Sequence, residues 1–239
     1  MSSSVVGYMQ SDKGQGVDMG APAFDAVGGS AVNIQDIVPV LGSTEEELYT
    51  GGFVIMTMTD GGETDESFAY YTAEDAPDGV AGWFDGAGNR SEKTFAPGEG
   101  FVTSSDYETG KLQTSGQVAD AITIFQLGTG VNSCGNTTSG SVSVQAINVG
   151  VGVDAEGNLL STNAAEEELY TGGLVIMTLT DGGETDESYS YYTADDAPDG
   201  SAGWFDGAGD RVVKTFDAGV GFIVSSDYEE SYISLPSAL

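Results

Sequence analysis

Two acidic runs hold the densest chemistry in this chain. Asp60-Gly61-Gly62-Glu63-Thr64-Asp65-Glu66 returns as Asp181-Gly182-Gly183-Glu184-Thr185-Asp186-Glu187. Ca²⁺ gathers about six to eight oxygen ligands. Asp60, Glu63 and Asp65 are therefore candidate cation ligands, as are Asp181, Glu184 and Asp186. The spacing does not follow the EF-hand loop. The competing reading is a solvated turn whose glycines set the backbone.

A second acidic group follows each run. Asp78 and Asp85, with Asn89, surround Trp83. Asp199 and Asp206 surround Trp204, with Asp210 in place of Asn89. These loop oxygens offer further cation ligands, and the Trp rings offer a stacking face for a sugar. Against this, Trp and Phe commonly anchor cores while Asp-Gly pairs make turns. Acids for glycoside hydrolysis are plentiful, but no one pair stands apart. The chain has no His, so the usual general base and the usual zinc ligand are missing. Its single Cys, Cys134, allows no disulfide within the chain. Its apolar surroundings predict a buried, inert thiol placed where the first unit has Met19.

The elements that position these residues come as one unit written twice. Glu45-Glu46-Glu47-Leu48-Tyr49-Thr50-Gly51-Gly52 recurs 121 positions later, and Trp83 and Phe101 recur as Trp204 and Phe222. A repeat this long is a domain, not a solenoid turn. The register predicts units over 1–118 and 119–239, joined without a Pro-rich or Ser-rich linker. The fronts of the units differ more, and the second carries an insertion from Gly150 to Asn163. Phe53–Thr59 and Leu174–Thr180 are short, apolar and β-branched, as strands are. Asp-Gly after each predicts a hairpin into Ser67–Thr72 or Ser188–Thr193. Helical turns are expected only at Thr44–Tyr49 and Asn163–Tyr170. The predicted fold is all-β, with two tandem homologous sandwich or barrel-like domains of about eight strands each.

Charge limits the partners. Thirty-eight Asp and Glu stand against six Lys and Arg, a formal net charge of −32. Nucleic acid and anionic membranes are repelled. Cation binding or a surface suited to high ionic strength remains. No apolar run is long enough to span a bilayer. Met1–Val6 lacks the basic and apolar regions of a signal peptide, so a secreted protein is expected here in mature form.

Several short motifs stand in a fixed order: Val5-Val6-Gly7-Tyr8, Pro97-Gly98-Glu99-Gly100-Phe101, Gly130-Val131-Asn132-Ser133-Cys134-Gly135-Asn136, Gly203-Trp204-Phe205-Asp206-Gly207 and Gly219-Val220-Gly221-Phe222. This order resembles uncharacterised secreted β-rich proteins of verrucomicrobial-type bacteria. The resemblance implies export and a mature start near Ser2, and it implies no activity. The chain departs from it where Asn136-Thr137-Thr138 replaces the usual Asn-Pro.

Matched copies of nearly every chemical residue suit a lattice or fibre better than an enzyme. The expectation is an extracellular structural protein, without enzymatic activity, that self-assembles head to tail as a filament or surface-layer subunit. That reading leaves room for Ca²⁺ as a stabilising ion and takes Ser4–Met9 as the strand that bridges chains. The alternative is a secreted monomeric module that binds carbohydrate or Ca²⁺.

Overall fold

A computed structural model describes residues 6–22, 31–42, 47–117, 123–138, 140–163 and 167–236. In the first half the strands are β1 (Val6–Asp12), β2 (Gly16–Gly20), β3 (Val32–Asn33), β4 (Ile37–Val40), β5 (Phe53–Met58), β6 (Thr64–Tyr71), β7 (Gly82–Asp85), β8 (Thr94–Phe95), β9 (Phe101–Ser105) and β10 (Lys111–Gln117). In the second half they are β11 (Thr123–Leu127), β12 (Gly130–Gly135), β13 (Val142–Ser143), β14 (Asn148–Gly150), β15 (Gly152–Val153), β16 (Leu159–Leu160), β17 (Leu174–Leu179), β18 (Thr185–Tyr192), β19 (Gly203–Phe205), β20 (Thr215–Phe216), β21 (Gly221–Ser226) and β22 (Ser231–Leu235). The all-β expectation holds, and the sheets are small.

Sheet order recurs between the halves. The five-stranded sheet β2-β9-β5-β6-β7 is matched by β12-β21-β17-β18-β19, and the three-stranded β1-β10-β4 by β11-β22-β14. Register recurs as well. Ile55 faces Phe68 as Ile176 faces Tyr189, and both hairpins carry an irregularity after the central Met. The inward face of β5 holds Phe53 and Ile55, essentially fully buried, over Trp83, Phe95 and Phe101. Leu174, Ile176, Trp204, Phe216 and Phe222 repeat that core. The insertion forms the extra hairpin β15-β16.

Four sequence expectations bear on these elements. First, the boundary at 118/119 lies outside the described residues. Second, the helical turn expected at Asn163–Tyr170 is a bridge between Thr162 and Glu168 where it is described. Glu167 N–H donates to Asn163 Oδ1 at 2.9 Å. Residues 43–46 and 164–166 lie outside the described part of both expected turns. Third, Cys134 is the counterpart of Gly20, not of Met19. Gly20 faces Phe101 and Cys134 faces Phe222, so pairing fixes the alignment. Fourth, of the expected bridging strand Ser4–Met9 the described part belongs to β1, which pairs along its whole length with β10 of its own chain.

The outer faces of the two five-stranded sheets meet each other. Met19, Val102 and Ile223 are buried there, with Val17, Met56, Met58, Val131, Met177 and Leu179 packed around them. The contact is reciprocal. Val17 N–H donates to Asp181 O at 2.7 Å, and Val131 N–H donates to Asp60 O at 2.7 Å. Gly20 bridges Val220, and Cys134 bridges Glu99. Each contact has its twin with the halves exchanged, so a pseudo-twofold axis runs between them. Such an isologous contact closes on itself. The contact between the repeats therefore offers no pattern for head-to-tail growth.

Candidate functional site

The Trp loops are built as staples. Asn33 accepts from Gln35 N–H and caps a short 3₁₀ turn, Ile34–Asp36, that delivers Gln35 to the loop. Gln35 Nε2 donates to the Trp83 and Ser91 carbonyls at 2.8 and 2.9 Å, and its Oε1 accepts from Trp83 N–H and Arg90 Nη1. Arg90 grips Asp78 through Nε and Nη2 at 2.6 and 3.0 Å and lies over Phe84. Trp83 Nε1 donates to Ile37 O at 2.7 Å. Ser143, Gln145, Trp204, Arg211 and Asp199 repeat the arrangement. Both Trp rings are fully buried, so neither can stack on a sugar. Burying both offsets the loops' turn-rich backbone, because each indole N–H finds a carbonyl.

The acids of these loops are occupied. Arg90 holds Asp78 well below the usual carboxylate range, at about 2. Arg211 lowers Asp199 in the same way. Asp85 is lowered by Asn89, and its Oδ1 accepts from Ala87 and Asn89 N–H. Asp206 Oδ1 accepts from Ala208 and Asp210 N–H. These are turn-closing carboxylates. Among the described residues, no three His, Cys, Asp or Glu are grouped so as to hold a metal ion. The structure does not bring Asp60, Glu63 and Asp65, or Asp181, Glu184 and Asp186, together as a ligand set.

The acidic hairpins instead serve as straps. Each reaches across the axis, Asp60 O to β12 and Asp181 O to β2. A side chain at Gly130 would meet Asp60 O at 2.5 Å, and Gly130 has φ of 93°. Only glycine allows that approach. Cys134 is buried, and burial pushes its thiol pKa up, so it is no nucleophile.

Between the straps lies an open cleft of about 390 Å³. Val17, Met56, Met58, Gly62, Thr64 and Val102 form one wall, and their counterparts in the second half form the other. Sequence reasoning missed it. The signal was present: Phe53-Val54-Ile55-Met56 is apolar on both faces, which marks a sheet covered on both sides.

All six basic residues are paired, Lys13 with Asp18, Arg90 with Asp78, Lys93 with Glu66, Lys111 with Asp12, Arg211 with Asp199 and Lys214 with Glu187. The surface therefore presents carboxylates with no free cation among them. No family model, curated protein or solved structure matches the chain.

Proposed function

We propose that the chain is an extracellular, non-enzymatic structural protein, two copies of one domain, that assembles through sheet edges. The observation that carries this reading is the character of the terminal strands. β1 and β11 end the two three-stranded sheets. Val6–Ser11 and Thr123–Leu127 contain no charge and no Pro. Natural edges are usually blunted by such residues, because an open ladder recruits another strand. Tyr8 is 69% exposed on β1. Two equivalent edges per chain are the least a linear polymer needs, and among the described residues no further strand pairs with either. The absence of His, the buried thiol and the occupied acids of the Trp loops support a role without catalysis. The extracellular placement rests on the resemblance to exported β-rich proteins.

Negative-stain microscopy and light scattering test this directly. The intact protein should form long assemblies. Tyr8→Glu combined with Gln126→Glu should give folded single chains. An intact protein that stays monomeric at millimolar concentration overturns the reading. Because no acidic ligand set forms, NaCl and CaCl₂ at matched ionic strength should raise the melting temperature equally through screening. A further rise specific to Ca²⁺ would show a binding site.

The monomeric binding-module reading keeps one observation in its favour, the cleft on the axis.

A further inference from the structure

The straps fix how closely the halves approach, and beside their packed contact an open cleft remains. Their backbone hydrogen bonds, 2.7 Å on each side of the axis, set the separation. Met56, Met58, Met177 and Leu179 line the gap without closing it. The cleft is open to water, so an apolar occupant would be favoured by removing its own and the lining's apolar surface from solvent. Thioether side chains suit such an occupant, since they are unbranched and polarisable and adapt to its shape. A concave apolar space where two units meet is also the usual setting for small ligands.

The mouth adds a charge preference. Thr64 and Thr185 line the cleft and belong to the two acidic hairpins. Asp60, Glu63, Asp65 and Glu66 stand exposed on one, and Asp181, Glu184, Asp186 and Glu187 on the other. Glu66 and Glu187 are paired to Lys93 and Lys214, and the remaining hairpin acids take no part in the six ion pairs. Glu63 and Asp65 flank Thr64, and Glu184 and Asp186 flank Thr185, so negative charge stands beside both walls of the opening. Anions are repelled there and cations are drawn in.

We propose that this cleft binds one apolar organic cation per chain, with its hydrocarbon body between the thioether and aliphatic walls and its charge toward the two hairpins. The inference stands whether or not chains assemble, because the cleft lies within one chain. Its position on the axis dictates the stoichiometry: a site within each half would bind two.

Calorimetric titration with tetraphenylphosphonium and tetraphenylborate tests it, since the two ions share a shape and differ in sign. The phosphonium should saturate at one per chain, and the borate should bind at least about tenfold more weakly. Met56→Phe with Met177→Phe fills the cleft and should weaken phosphonium binding at least about tenfold while the fold is kept. Should that variant misfold, Asp65→Asn with Asp186→Asn leaves the packing intact and should narrow the difference between the ions. Two ions per chain, equal affinity for both ions, no saturable binding, or undiminished affinity in the folded Phe variant overturns the proposal. Loss of assembly in the edge variants with phosphonium binding intact separates the two readings.

Discussion

Lys13 and Leu127 occupy the same place in the two halves. Lys13 N–H donates to Gly110 O, and Leu127 faces Ser231 in the matching ladder. Both side chains are 1% exposed. In the first half the buried ammonium donates to Met19 O at 2.6 Å and to Asp18 at 3.3 Å. In the second half Asn132 stands for Asp18 and bonds the Gly128 and Gly130 carbonyls. One fold thus tolerates an ion pair or an apolar contact at one site. Taking a charge out of water costs several kcal/mol, about what a close partner returns, so the exchange is nearly neutral while half of it is not.

Breaking the pair tests that lesson most strongly. Asp18→Ala leaves the buried ammonium with the Met19 carbonyl as its hydrogen-bond partner and should cost about 1–3 kcal/mol in chemical denaturation, less than for a fully buried pair because Asp18 is half exposed. Lys13→Leu with Asp18→Asn copies the second half and should fall within about 1 kcal/mol of the parent. A double variant as unstable as Asp18→Ala would show that the two sites are not equivalent.

The Gln staples should behave alike where the ion pair does not. Gln35→Ala removes the donor to two loop carbonyls and the acceptor for Trp83 N–H. Leaving such groups unpaired costs about 1–3 kcal/mol. Gln145→Ala should cost the same to within about 0.5 kcal/mol, because the network is repeated bond for bond around Trp204. Unequal losses would place a difference in the halves that their geometry does not reveal.

Much of this was legible in the chain. The strict 121-residue register from Phe53 onward carried the hairpins, the buried Trp pair and the inward faces of β5 and β17. The front was harder to read. Asp12 and Gln126 are counterparts, as are Gln35 and Gln145, and the offset shifts between them because the loops there differ in length. Only strand pairing restored it, moving Cys134 from Met19 to Gly20. The acidic hairpins were read for their side chains, whereas Asp60 and Asp181 act through backbone oxygens. No composition signals that. The twofold relation of the halves was also hidden, since a repeat fixes likeness but not orientation.

The smallest effect that still separates the halves lies in their pH dependence. Burial lowers the Lys13 pKa from its ordinary 10.5, with Asp18 opposing the shift. Between that lowered value and 10.5 the unfolded chain holds more proton at Lys13 than the folded chain does. Stability therefore rises with pH across this window, and the cost of burying the charge is fully present below it. Leu127 has nothing to titrate. Comparing the parent with Lys13→Leu/Asp18→Asn cancels the tyrosines and the other lysines, which both proteins share. As pH rises through that window towards 10.5, the parent should gain on the double variant, with a slope of at most about 1.4 kcal/mol per pH unit. A parent that loses ground instead would mean the ion pair raises the Lys13 pKa, so that attraction to Asp18 outweighs burial. The first half would then hold its salt bridge at a net gain over the apolar contact of the second.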